Sequence, residues 1–196
     1  VFDFRVRKQL GAARLSALTT PHGVLAGPFF QFVATQGVIR GGLLTEDLEA
    51  MGVQIVLANT YHLHLRPGEE VVAKAGGLHG FMQWQGPMTT DSGGYQVFSL
   101  GEHVKVDEGS VMFRSPRDGS VHVFTPEKVM DIQAKLGPDM VMPLDVCTEF
   151  RASHSKAEAA VAQSTLWARR CQARHEELEG GASMADRRQA LYGILQ

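Results

Sequence analysis

Cysteine is scarce in this sequence, and its two examples, Cys147 and Cys171, stand at no metal-type spacing. Two free thiols in a reducing compartment are therefore expected rather than a disulfide. No run of 18 apolar residues occurs, which removes a transmembrane helix. The opening Val1-Phe2-Asp3-Phe4-Arg5 lacks the pattern of a secretion signal, so a cytoplasmic, non-membrane protein is expected. Because the chain opens with Val1 and not Met, at least one residue is expected to precede it. An excess of one charge is also lacking: 19 Lys and Arg stand against 21 Asp and Glu, for a formal net charge of -2. No global basic field advertises a nucleic-acid partner, although a local patch on a nearly neutral protein would suffice. Hydrophobic residues make up 44% and charged residues 20%, and 196 residues suffice for one domain with a sizeable core.

What is present is an alternation of apolar runs and helical patterns. Residues 28–33 read as a short buried strand, and Thr45 is placed to cap the helix that follows. Residues 53–59 form a β-branched second strand, and 87–90 a third that runs into Asp91-Ser92-Gly93-Gly94. Three alternating segments, 104–106, 110–113 and 119–124, are separated by Asp107-Glu108-Gly109 and Arg117-Asp118-Gly119, which predicts an antiparallel hairpin ribbon. Thr125 as cap and Pro126 in the first turn open a helix ending near Gly137. A fourth strand covers 139–144. A long helix covers 155–178, with Ala157, Ala160, Val161, Ala168 and Cys171 on one stripe. A short helix is expected around Ala185, and a fifth strand over 190–195. No dinucleotide glycine fingerprint follows the first strand, so a parallel α/β fold of the (β/α)8 TIM-barrel type fits better than a doubly wound sheet. A whole barrel takes about 250 residues. An incomplete barrel is therefore expected, with about five of eight strands present.

Polar residues gather where the strands end, the face on which barrel active sites are built. Asn59, Thr60, Tyr61 and His62 follow the second strand; Asp91, Ser92 and Tyr95 the third; Asp145 and Cys147 the fourth. Two carboxylates in one mouth can divide labour, one accepting hydrogen bonds from a substrate and the other handling a proton. Taken singly, each aspartate is equally a helix cap, Gly93-Gly94 equally a plain turn, and Tyr95 a stacking face or a structural ring. His62 and His64, at i and i+2, would face the same way on a strand, as in metal-dependent barrel hydrolases. No second ligand set is evident, and a surface or structural role is expected for both.

The string from Asp91 to Leu100, Asp-Ser-Gly-Gly-Tyr-Gln-Val-Phe-Ser-Leu, resembles the signature of the tRNA-guanine transglycosylases. Thr20-Pro21-His22-Gly23-Val24, Asn59-Thr60-Tyr61-His62-Leu63, Leu65-Arg66-Pro67-Gly68 and Gly76-Gly77-Leu78-His79 extend the likeness, in order, over essentially the whole chain. The resemblance implies a (β/α)8 barrel, with residues 1–196 the N-terminal part of a single domain. It implies an exchange of guanine in tRNA for a 7-deazaguanine of the preQ1 or queuine type, through a covalent ribosyl-enzyme intermediate, in queuosine biosynthesis. By resemblance Asp91 would be the acid/base, Asp145 would bind the N1 and exocyclic amine edge of the purine, and Tyr95 would stack on it. Ser92 and Cys147 would line the pocket, Gln196 would contact the purine carbonyl, and Asn59 and Leu57 would lie near the ribose.

The likeness has departures. Asp145-Val146-Cys147-Thr148 stands where bacterial members usually have Asp-Glu-Cys-Thr, and Gln31-Phe32 where Met-Pro is common. Val146 offers no carboxylate, which leaves the substrate open between an aminomethyl precursor, queuine and a nitrile. The nucleophilic aspartate and a cysteine-rich site for one zinc ion belong, by resemblance, to a C-terminal part beyond Gln196. No cofactor is expected within these residues. The chain is thus expected to be a truncation, with an open sheet edge and poor solubility on its own. The full protein is expected to be a homodimer acting on tRNA. A non-catalytic nucleobase- or tRNA-binding subunit is the alternative, and a metal-dependent hydrolase a more distant one.

Overall fold

A computed structural model describes residues 2–39, 41–101, 104–180 and 188–195. It is an α/β structure with one parallel and two antiparallel sheets. The parallel sheet has the order β11-β10-β6-β5-β4. Its strands are β4 (Gln31–Val33), β5 (Ile55–Ala58), β6 (Met88–Thr90), β10 (Met140–Val141) and β11 (Ala190–Leu191). These are the five strands expected, each shorter than its apolar run. The first begins at Gln31, since Pro28 has no N–H for a ladder and Phe30 is turned to solvent.

Residues unassigned by pattern form the first antiparallel sheet, β1 (Asp3–Leu10), β2 (Ala13–Thr20) and β3 (Gly23–Gly27). The expected ribbon is the second, β7 (Val104–Val106), β8 (Val111–Arg114) and β9 (Val121–Phe124), paired in that order.

Helices fill the crossovers. Helix α1 spans Thr45–Ala50, but Thr45 is not its cap: its hydroxyl donates to the Met82 carbonyl (2.9 Å), and the Asp47 carboxylate accepts from Leu44 N instead. Three short helices follow β5, namely α2 (Thr60–Leu65), α3 (Glu69–Lys74) and α4 (Gly77–Met82), and α5 (Gly94–Phe98) follows β6. Helix α6 (Pro126–Leu136) begins as expected, with the Thr125 hydroxyl accepting from Lys128 N, and ends at Gly137. Helix α7 (His154–Leu178) is capped by Ser153 and packs on α6. Its buried face runs through Ala160, Trp167, Cys171 and His175, whereas Val161, placed on the stripe by its apolarity, is exposed. The spacing 160–167–171–175 is the helical repeat; which stripe faces inward was decided by where α6 and the ribbon lie. The Ala185 segment lies outside the described residues. No described helix is long and apolar enough to cross a membrane.

The main core lies between sheet and helices, with Val56, Met88, Ile132, Leu136 and Trp167 all nearly inaccessible. One buried polar side chain ties this layer to the strand ends. Gln133 of α6 accepts from the Thr90 hydroxyl (2.8 Å) and Met142 N (3.0 Å), and donates to the Met142 carbonyl (2.8 Å). It therefore pins β6 and the residues after β10 at the height where Asp91 and Asp145 emerge. At the opposite ends of these strands, buried Asp139 accepts from Met88 N (2.8 Å) and from the backbone N–H of His22. His22 Nδ1 lies 2.8 Å from the same carboxylate.

Candidate active site

Side chains alternate across a strand, so Leu57 and Asn59 share a face with Thr89 and Asp91, in the register that pairs Leu57 with Thr89. Asp91 leaves the end of β6 partly open to solvent, and four donors meet its carboxylate. Oδ1 accepts from Thr60 N (3.0 Å), the start of α2, and from Gly93 N (3.2 Å). Oδ2 accepts from the Asn59 amide and from Gln96 Nε2 (3.1 Å). The Thr60 hydroxyl also donates to the Asp91 carbonyl (2.5 Å). Burial, the largest influence, pushes the Asp91 carboxyl above its ordinary value, against the four hydrogen bonds that favour the charged form.

Gly93, at φ 80°, turns the chain sharply, so that Ser92 and Gly94 face the end of β10. There the Ser92 hydroxyl donates to Asp145 Oδ1 (3.1 Å) and accepts from Gly94 N (3.1 Å). The Cys147 thiol lies 3.6 Å from Asp145 Oδ2. Burial first, and the Asp145 charge second, push that thiol up to about 12, so at neutral pH it is a neutral donor. Gly94 admits no side chain: a Cβ there would lie 2.7 Å from Asp145 Oδ1 and 2.9 Å from its carbonyl oxygen. The loop after β10 is fastened to α7 by Val146 N donating to Ser164 Oγ (2.9 Å). A cavity of about 220 Å³ opens beside Asp145, walled by Gly94, Val97, Phe98, Val146 and Cys147. Val146 thus makes an apolar wall where Glu would have brought a charge.

The expected residues are therefore grouped in two contacting sets, Asp91 with Asn59 and Asp145 with Ser92 and Cys147, joined through the turn at Gly93. Leu57 is half-buried on the same face, and Tyr95 holds its ring largely exposed on the first turn of α5. Gln196 lies outside the described residues. Thr60 and Gln96 received no role from the sequence, yet both bind Asp91. Their signal was proximity alone, Thr60 following Asn59 and Gln96 standing five positions after Asp91.

The histidines behave differently from a metal pair. His62 and His64 lie on helix α2 and not on a strand, so a two-residue spacing does not align them. His64 Nδ1 lies 2.7 Å from Glu69 and its Nε2 3.1 Å from His122 Nδ1. That contact ties α2 and α3 to the ribbon. Another cluster, His22, His79 and Asp139, brings three ligand-type atoms within 4.8 Å of one another. Its two rings are stacked, with centroids 3.6 Å apart and planes 18° from parallel, so their lone pairs do not converge on one point. Both Asp139 oxygens already hold backbone donors. The cluster pins the β2–β3 turn to the strand starts, at the far end of the sheet from Asp91. Cys147 and Cys171 are both free, as expected.

The family model described as queuine tRNA-ribosyltransferase matches residues 9–196. Proteins named queuine tRNA-ribosyltransferase from Synechococcus elongatus and Prochlorococcus marinus are 48% and 46% identical over the whole chain, which covers 49% and 50% of their own lengths. One of the same name from Pelotomaculum thermopropionicum is 45% identical, again over the whole chain and half of the relative. The chain thus spans about half the length of the curated relatives it matches. With a match over nearly all its residues, the chain belongs to the queuine tRNA-ribosyltransferase family.

Proposed function

We propose that this chain forms the base-recognition half of an enzyme that exchanges guanine in tRNA for a 7-deazaguanine, in queuosine biosynthesis. The observation that carries the reading is the pairing of two differently held carboxylates, Asp91 and Asp145, on neighbouring strand ends. Asp145 is oriented by the Ser92 hydroxyl and the Cys147 thiol, and its oxygens suit the adjacent N–H donors on one edge of guanine. Gly94 lets α5 start close against that carboxylate, the cavity of about 220 Å³ beside Asp145 offers space for a flat ring, and Tyr95, on the same turn, supplies an aromatic face for stacking. Asp91, pushed upward by burial, is suited to hand a proton to the departing base and to take one from the incoming base. By resemblance Asn59 and Leu57 border the ribose, and a contact of Gln196 with the purine carbonyl rests on that resemblance alone.

The reaction balances as two displacements. A carboxylate oxygen bonds to ribose C1′ as the bond from C1′ to guanine N9 breaks, and guanine leaves with a proton. The 7-deazaguanine then reverses the process at the same carbon. By family resemblance the attacking carboxylate and a structural zinc site stand outside these residues, in the other half of the full-length protein. The five-stranded parallel sheet, with the β7–β9 ribbon inserted between β6 and β10, is on this reading part of a single (β/α)8 barrel domain. The expected assembly is a cytoplasmic homodimer acting on tRNA.

The test is incorporation of labelled guanine into tRNA by the full-length protein, with Asp91→Asn and Asp145→Asn beside the wild type. Both variants are expected to lose at least about a hundredfold in kcat/KM, within the range for acid–base groups. Wild-type binding of guanine or tRNA without exchange would instead mark a binding subunit.

A further inference from the structure

Asp91 is fully engaged. A carboxylate has about four acceptor positions, and Thr60 N, Gly93 N, Asn59 Nδ2 and Gln96 Nε2 take them all. In this arrangement the group assigned to proton transfer has no free lone pair for a substrate, so one donor has to leave. The two backbone donors are fixed by the start of α2 and by the Gly93 turn. The choice lies between two side-chain amides.

They are not equivalent. When Gln96 Nε2 serves Asp91, Gln96 Oε1 is buried without a hydrogen-bond partner. Turning the amide over gives no relief, since Oε1 would then face a carboxylate oxygen, acceptor against acceptor. A buried carbonyl without a donor carries a desolvation cost comparable to the hydrogen bond its other end makes. The Asn59 amide oxygen is not orphaned in this way. Gln96 is also the longer side chain, carried on the five-residue helix α5, whereas Asn59 is itself the residue from which α2 starts.

We propose that Gln96 is a releasable clamp: it holds Asp91 while the site is empty and swings away when a base enters, freeing one lone pair on Oδ2. The inference rests on the base-exchange reading and makes Gln96 a positioning residue, acting through Asp91. Its release costs little, because the bond given up is offset by wetting or pairing the orphaned carbonyl.

The experiment uses the full-length protein with Gln96→Leu and Gln96→Glu, following guanine exchange into tRNA from about pH 5 to about pH 9. Gln96→Leu removes the clamp and its orphan together. It is expected to leave the KM for guanine equal or lower. The acid limb of kcat/KM should move to higher pH, because the charged carboxylate has lost a donor. Gln96→Glu guards against a failure of the leucine variant to fold. As a carboxylate it cannot donate, and a second negative charge beside Asp91 should move the acid limb further.

A rise of about tenfold in KM with an unmoved pH profile would overturn the proposal, since Gln96 would then be a direct substrate contact. So would a Gln96→Leu enzyme unchanged in KM, kcat and pH profile. If the wild-type protein exchanges guanine and the variants behave in either of these ways, only the clamp fails. If the wild type exchanges nothing, the base-exchange reading fails and the clamp with it.

Discussion

Gly94→Ala separates the site from the fold. An alanine Cβ would stand 2.7 Å from Asp145 Oδ1, 2.9 Å from its carbonyl oxygen and 3.2 Å from Ser92 Oγ. Real Cβ contacts lie well beyond 3 Å, so both the carboxylate and its backbone must retreat by several tenths of an ångström. The Ser92 hydrogen bond to Asp145, already 3.1 Å long, would not survive that shift. A hydrogen bond to a charged group contributes about 2 kcal/mol, or about thirtyfold in affinity. Stability should fall by about 1 kcal/mol, the lost hydrogen bond being only partly offset. Gly94 is the first residue of α5, its φ is negative, and alanine gains up to about 1 kcal/mol of helix propensity over glycine. The assay is guanine binding by titration calorimetry on the full-length protein, with a thermal melt in parallel. We expect a dissociation constant raised about thirtyfold or more and a melting temperature within a few degrees of the wild type. Affinity within about threefold of the wild type would show that Asp145 is not tightly cradled and would refute the reasoning.

Gln133→Leu should do the opposite and damage the fold. It orphans Met142 N, Met142 O and the Thr90 hydroxyl together, a loss of about 3 kcal/mol after the gain in apolarity, to be measured as a fall in urea midpoint. The two cysteines should resist alkylation at pH 8 in the native protein and react on unfolding. Burial holds both thiols at about 12, and rapid native labelling would contradict that placement. Acid should weaken the protein in two stages. His122 is held below its ordinary value by burial and by His64, so its contribution is complete above about pH 6.5 and declines as pH falls below it. Glu69 is pushed up by burial, but His64, its own backbone and Lys128 together bring it down to about 2. Its contribution is complete above its ordinary value of 4.5 and is lost towards pH 2. His122→Phe, which keeps a ring against Phe113, should abolish only the first stage of a series of urea midpoints against pH.

Much of this molecule is written in short stretches of sequence. Thr125 and Pro126 at one end and Gly137 at the other determine α6, because caps act on backbone groups within four residues. The β-branched run before Asn59 specifies β5, and the glycine-bearing turns specify the ribbon. The chemical types gathered at strand ends were legible for the same reason: a strand-end aspartate is recognised from its own neighbours. The tertiary structure decided what depends on partners far along the chain. Thr45 looks like a cap until Met82, 37 residues on, claims its hydroxyl. Val161 looks like core until α6 and the ribbon meet the Trp167 face instead. His62 and His64 are legible as surface or structural histidines, but only packing supplies Glu69 and His122 as the partners of His64. The state of Asp91 belongs to the same class. Its residue type is local, but its four donors come from two different strand ends, and only packing could bring 31 or 32 positions of separation down to hydrogen-bond distance.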